Sequence, residues 1–256
     1  MTYSSFDIKA TWAPDGMTPG ELAERVSCML RALEPLSPAM TNWVIGDQVQ
    51  ERWVTLREAS VDFPGLVRGN MVRDDWGARP ENGYRVGIKG SQRPSAFSDS
   101  NSVHLSVTAG SRFNNSVSFE VGVPSLARNF DLTTYPLYKD VLRVLADVWP
   151  LPWGFASTYD SKFERGRKRA RTPFDLAWIG YLSAPLAERL VPPKELIVER
   201  TPGGEALISA VEVLIDQSNS EHVARSRLLE EILINRVGYD PRLFRPKLHP
   251  ARGGRW

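Results

Sequence analysis

The sequence predicts an α+β fold in which a mainly antiparallel sheet packs against amphipathic helices. Apolar residues alternate with polar ones in several short segments, other segments carry the three-to-four-residue spacing of a helix, and some connections are of hairpin length. Phe6, Ile8, Ala10 and Trp12 alternate with Asp7, Lys9 and Thr11, which describes a half-buried opening strand. Pro14, Asp15 and Gly16 turn the chain, and Thr18-Pro19-Gly20-Glu21 has the form of a capping box, with Thr18 covering a free N–H and Glu21 reaching back. Leu22, Val26, Met29, Leu30 and Leu33 then recur on one helical face until Pro35 and Pro38.

The region from Trp43 to Trp76 is less regular. Trp53 to Leu56 fits a strand, and Val61 to Met71 fits a short helix broken by Pro64 and Gly65. Three strands follow, marked by Tyr84, Val86 and Ile88, by Val103, Leu105 and Val107, and by Val117, Phe119 and Val121. The second and third are joined closely enough, through Gly110 to Asn115, to form an antiparallel hairpin with one apolar and one polar face. Tyr138, Val141, Leu142, Leu145 and Val148 predict a helix ended by Pro150 and Pro152. Strands are expected at Trp153 to Thr158 and Ala177 to Ser183. A further pair, Leu196 to Arg200 and Ala206 to Ser209, is expected to turn through Pro202-Gly203-Gly204, whose glycine pair supplies positive φ angles. Asn219 caps a last helix with a stripe of Val223, Leu228, Leu229, Ile232 and Leu233, running until Gly238. The reading gives one domain over residues 1–238 and a basic, proline-rich tail over 239–256, docked in part through Leu243 and Phe244.

At 256 residues and 42% hydrophobic content the chain can bury a full core. Its 32 basic and 30 acidic residues nearly cancel, so the overall field draws it to neither nucleic acid nor an anionic membrane. Cys28 is the sole cysteine, which excludes an internal disulfide and any multi-cysteine metal site and suits a reducing compartment. The opening MTYSSFDIKATW has no apolar run after a basic start, and no stretch approaches the ~20 apolar residues of a membrane helix, so the cytoplasm is the expected location, with no membrane partner.

No sequence motif for phosphate, dinucleotide, nucleophile-elbow or zinc-helix chemistry is present, and neither a catalytic activity nor a cofactor is expected. His104, His222 and His249 are too far apart in sequence for metal-ligand spacing. His104, on the polar side of its strand, reads as a surface or hydrogen-bonded residue before it reads as a general base. Cys28 reads as a small buried hydrophobe in its helix. Asp7-Ile8-Lys9 has the carboxylate-x-lysine form of nuclease sites, but no acidic residue precedes it, and the outer face of an amphipathic strand accounts for it. Asp74, Asp75 and Trp76 form either a plain turn or a partner-binding element, since an exposed Trp beside charge is a common hot-spot composition. Lys162 to Arg171 holds six basic residues and one acidic residue. It reads as a solvated connector or, with the basic tail, as the surface of a nucleic-acid-binding adaptor; without a recognisable module the adaptor is the weaker alternative.

Several blocks together resemble a known family. They are Thr11-Trp12-Ala13-Pro14, the helix with Cys28, Leu30 and Leu33, Ser37-Pro38 leading to Trp43, and Glu81-Asn82-Gly83-Tyr84-Arg85-Val86. Asn114-Asn115-Ser116-Val117 leading to Pro124, Trp178 to Ser183, Gly203-Gly204 with Leu207-Ile208-Ser209, and Asn219 to Leu229 complete the set. In order and spacing, over roughly residues 6–234, they resemble the immunity protein 52 family of bacterial polymorphic toxin systems. Ala13, where the family usually has glycine, and the basic Lys162 to Arg171 stretch depart from it. The resemblance implies a toxin-neutralising protein whose partner is a cognate toxin, often a nuclease, and assigns no residue a role. A net charge of +2 argues against wholesale mimicry of DNA and for a covering surface or a local acidic patch such as Asp74 and Asp75.

Overall fold

A computed structural model describes residues 5–56, 61–74, 77–92, 102–112, 115–121, 132–159, 176–216 and 218–236. The basic stretch 162–171 and the tail 239–256 lie outside the described residues.

The fold is α+β. Its strands are β1 (Ser5–Trp12), β2 (Asn42–Asp47), β3 (Arg52–Thr55), β4 (Arg73–Asp74), β5 (Gly77–Ala78), β6 (Tyr84–Ser91), β7 (Ser102–Ala109), β8 (Asn115–Val121), β9 (Trp153–Tyr159), β10 (Leu176–Leu182), β11 (Ile197–Arg200) and β12 (Ala206–Ser209). The α-helices among the described residues are α1 (Pro19–Leu33), α2 (Phe63–Gly69), α3 (Tyr135–Val148), α4 (Ala184–Ala187) and α5 (Ser220–Glu231), the last continuing as a π-helix over Ile232–Arg236. Ten strands form one sheet in the order β11-β12-β10-β9-β1-β8-β7-β6-β2-β3, and β4 and β5 form a separate ribbon. Every neighbouring pair is antiparallel.

β1 lies at the centre of the sheet, between β9 and β8, and only Lys9 of residues 6–12 is exposed. Ile8 lies across from Phe119 on one side and Ala156 on the other, so one apolar row crosses the sheet and continues through Leu105, Ile88 and Ile45. α1 and α3 cover this face. The capping box that starts α1 forms as the sequence predicts: Thr18 Oγ1 accepts the Glu21 N–H at 3.3 Å, and Glu21 Oε2 accepts the Thr18 N–H at 2.8 Å. α3 brings Tyr138 into the core, where its hydroxyl donates to the Phe6 carbonyl at 3.1 Å and its ring meets Phe6, Phe119 and Trp178.

The opposite face is divided. Over β9, β10 and β12 it is covered by α5 and the segment that includes α4, which bury Trp153, Phe155, Leu182, Ile208, Leu229 and Leu233 in a second cluster. β10 is therefore buried along its whole length. Its bulge at Ala177/Ile179 lets Trp178 face α3, its indole N–H donating to the Val211 carbonyl at 3.1 Å. From β1 to β6 the same face carries polar side chains, among them Lys9, Ser118, Ser106 and Arg85, at exposed or half-buried positions.

Four sequence expectations change. Pro64 and Gly65 do not break a helix; Asp62 caps α2 by accepting the Gly65 N–H at 2.9 Å, and Pro64 sits in the first turn, where its missing N–H costs nothing. In the β11–β12 turn Gly204 has a φ of 91°, but Gly203 has no positive φ. Cys28 is exposed, not buried. β2, which docks β3 onto the sheet, has no counterpart in the sequence reading.

Candidate functional site

The helical face of the fold carries a groove of about 630 Å³ between the first half of α1 and the end of α3. The described residues that line it are Asp15, Met17, Glu21, Glu24, Arg25, Cys28, Asp147, Val148 and Pro150, and among these Arg25 is the only basic side chain beside the carboxylates of Asp15, Glu21, Glu24 and Asp147.

Each part is positioned by local chemistry. The loop between β1 and α1 is tied down by Asp15, which accepts from the Trp12 indole N–H at 3.0 Å, the Met17 N–H at 3.3 Å and the Asn115 amide at 3.0 Å. Asn115 also donates to the Ala13 carbonyl at 3.0 Å, joining the loop to the start of β8. Gly110 comes so close to the Met17 carbonyl that a Cβ would collide with it, and its φ of 71° also favours glycine. Behind the groove Trp12 and Trp149 stack at 4.9 Å, with Trp149 donating its indole N–H to Met29 Sδ at 3.3 Å. Arg25 lies over the Trp149 ring at 5.8 Å. Hydrogen bonds from Thr18 hold the Glu21 carboxyl below its usual range. The last turn of α3 contains Asp147 and no basic residue, so a carboxylate stands at the negative end of the helix dipole. Cys28 Sγ accepts from Arg31 at 3.3 Å.

Asp147 also borders a smaller cavity of about 230 Å³ with Arg143, Tyr181, Thr201 and Glu205. There burial, with Glu205 and Asp147 adding to it, pushes the Tyr181 hydroxyl up to about 12, so the phenol stays protonated at neutral pH.

The residues singled out in the sequence lie elsewhere. Asp74 ends β4, opposite Gly77, while its side chain, Asp75 and Trp76 lie outside the described residues. Asp7 and Lys9 share the polar face of β1, where the buried Asp7 accepts from the Ser157 hydroxyl at 2.8 Å and pairs with the exposed Lys9. His104 Nε2 is 3.2 Å from the Ser102 hydroxyl. Burial and then Lys89 lower its pKa, which favours the neutral ring, and Ser102 is buried at 3% exposure. His222 Nδ1 accepts the Asp216 N–H at 3.1 Å and so braces the loop before α5. Among the described residues no group of three or more His, Cys, Asp or Glu stands close enough to hold a metal ion, and no helix is long and apolar enough to cross a membrane.

Glu24 and Asp147 were not legible as a site. The one local signal was Asp147, an acid where the C-terminal end of a helix favours a base; Glu24, inside α1, gave none.

No protein-family profile matches the chain, and a search of curated proteins found no match. Among solved structures it is similar to the duplicated taurocyamine kinase from Schistosoma mansoni with bound transition state analog components, at 13% identity and a TM-score of 0.24. The match covers 90% of this chain and 32% of that one, so the chain spans about a third of that protein's length. A score this low carries no argument about fold or activity.

Proposed function

We propose that this chain is an immunity protein that binds a cognate bacterial toxin, a nuclease in the leading case, and neutralises it in the cytoplasm by protein–protein contact without chemistry of its own. The order of sequence blocks along residues 6–234 supports the family reading. The observation that carries the binding role is the groove between α1 and α3, concave and rich in carboxylates, on helices packed against a ten-stranded sheet. An inhibitor needs a scaffold that keeps its shape and a complementary patch of roughly 800 Å² per partner. A carboxylate-rich patch on a protein of net charge +2 supplies local complementarity to a basic toxin without imitation of a nucleic acid over the whole surface.

The test is co-expression with the toxin encoded by the neighbouring gene. Restored growth and a one-to-one complex on purification are expected. A toxin that stays fully lethal at matched expression removes the proposal.

A further inference from the structure

We infer that the cavity of about 230 Å³ between the second half of α3 and the β11–β12 turn is a binding site for a primary alkylammonium group, held by the Tyr181 hydroxyl and the carboxylates of Glu205 and Asp147. The site does not rest on the immunity reading, because the lysine of a partner protein and a free aliphatic amine both carry this chemistry.

The observation that points to a ligand is Tyr181. It lies across from Leu207 of β12 and Gly154 of β9, and with Leu207 it floors the cavity under Arg143, Ala146 and Asp147 of α3. Its side chain is only 8% exposed, yet its hydroxyl has no hydrogen-bond partner among the described residues. The two tyrosines of α3 itself are satisfied, Tyr135 by the Ser209 hydroxyl and Tyr138 by the Phe6 carbonyl. Glu205 and Asp147 add to burial in pushing the Tyr181 phenol up to about 12, so its oxygen is the part of the ring that faces them, and it keeps its proton at neutral pH.

The charges around that oxygen favour a cation. Arg143 also lines the cavity, but Glu199 takes it at 2.7 Å and Asp140 at 3.5 Å, so its charge is already balanced. Glu205 receives the Thr201 hydroxyl on Oε2, which leaves Oε1, and Asp147 has no hydrogen-bond or ion-pair partner among the described residues. A carboxylate from the end of α3, another from the β11–β12 turn and a phenol from β10 therefore border one space. An ammonium offers three N–H donors and matches three acceptors on three elements, whereas a planar guanidinium suits two oxygens of one carboxylate. Ala146 and Leu207 supply apolar surface for the methylenes next to the nitrogen. The volume lies below the roughly 300–1,000 Å³ of pockets for drug-sized ligands, so the group that enters is small. An anion would meet both carboxylates.

The experiment adds butylammonium chloride to the isotope-labelled full chain and follows amide shifts by NMR, with butyrate and butanol as probes of the same length. Saturable shifts at Tyr181, in residues 201–205 and in the last turn of α3 are expected from butylammonium alone, weakening as salt rises. Tyr181→Phe, which removes only the hydroxyl, should weaken binding roughly tenfold, and Glu205→Gln by a similar factor. Glu120→Gln, an exposed carboxylate on the opposite face of the sheet, should change it less than about twofold. The urea midpoint of Tyr181→Phe should be unchanged or higher, since no bond within the protein is lost. A lower midpoint would assign the hydroxyl a structural bond and overturn the inference. Equal binding of butyrate or butanol, unaltered binding in Tyr181→Phe, or no saturable shift up to roughly 50 mM would overturn it as well. Two further amines distinguish the sources. Nα-acetyl-lysine methylamide binding as well as butylammonium supports the site as a seat for a partner's lysine, and 1,4-diaminobutane binding without the capped lysine supports it as a site for a free amine.

Discussion

The two ends of the sheet solve the same burial problem differently. At the end formed by β9, β10 and β12 both faces are covered, by α3 on one side and α5 on the other, and polar alternation vanishes from β10. From β8 to β6 no helix among the described residues covers the face opposite the core, and alternation is preserved: β8 runs buried, half-buried, buried, half-buried, buried before reaching Glu120. One row shows the transition. Phe155 lies across from Lys9, Lys9 from Ser118 and Ser118 from Ser106, so the row passes from a fully buried ring to exposed and half-buried polar side chains within four strands. The side chains in a row report what lies over the sheet, not the strand pairing within it, which is antiparallel throughout.

The largest predicted effect breaks this row at two points. Phe155 is 0% exposed and stacks on Trp153 at 5.8 Å, so Phe155→Ala should cost roughly 3–5 kcal/mol in urea unfolding. Ser118→Ala, on the open part of the same row, should stay within about 0.5 kcal/mol. Similar costs at both positions would show that the open face is covered as the other end is.

The edge strands come next. At the covered end, Glu199 of β11 is clasped to α3 by Lys139 at 2.8 Å and Arg143 at 2.7 Å. The bond from Lys139, followed by the charges of Lys139 and Arg143, holds its carboxyl below the usual 4.5. A lowered folded value means that this stability is fully present above about 4.5 and is lost as pH falls through the folded value. Glu199→Gln should cost about 1 kcal/mol at neutral pH, allowing for solvent screening, and the difference from wild type should shrink in acid. A cost that does not change with pH would mean that packing, not charge, holds β11.

At the other edge Glu51 turns the β2–β3 hairpin with a φ of 51°, a left-handed conformation that glycine adopts without its Cβ penalty. Glu51→Gly should raise the thermal midpoint slightly, by about 0.5 kcal/mol of stability once the freer unfolded chain is subtracted. A lower midpoint would show that the Glu51 side chain contributes more than its backbone strain removes.

The smallest effect belongs to His104. Burial, with Lys89 beside it, lowers its pKa, so the unfolded chain binds a proton more readily as pH falls below 6.5. Stability from this residue is therefore present above 6.5 and falls with acidification, and His104→Asn should flatten that part of the pH–stability curve. An unchanged slope would assign it to another group.

The sequence made α1, the β6–β8 meander and α3 readable because each keeps one buried face, and period then tracks exposure; in β1 the polarity alternates although Asp7 and Thr11 are themselves buried, and the last helix is marked by its Asn219 cap. β2 was lost because Trp43, Val44 and Ile45 are consecutive and all buried, so its two faces give no alternation. Pro64 read as a breaker because the cap that makes its position harmless, Asp62, is defined by backbone geometry and not by the helical period. Cys28 read as buried because helical spacing alone does not show that its side of α1 borders a groove. The groove itself joins the loop before α1, one face of that helix and the distant end of α3, a juxtaposition made by topology, so no motif spacing could reveal it. Asp74, Asp75 and Trp76 were proposed on composition, and the side chains that would bear the role lie outside the described residues.

The proposed binding role requires a protein partner seated between α1 and α3. Amide hydrogen exchange of the full chain, free and in complex with the neighbouring gene's toxin, tests this most directly. Slowed exchange in residues 17–28 and in the last turn of α3, with the open face of β6 to β8 unchanged, is the predicted result. Protection confined to that open face, or no complex at all, would contradict it.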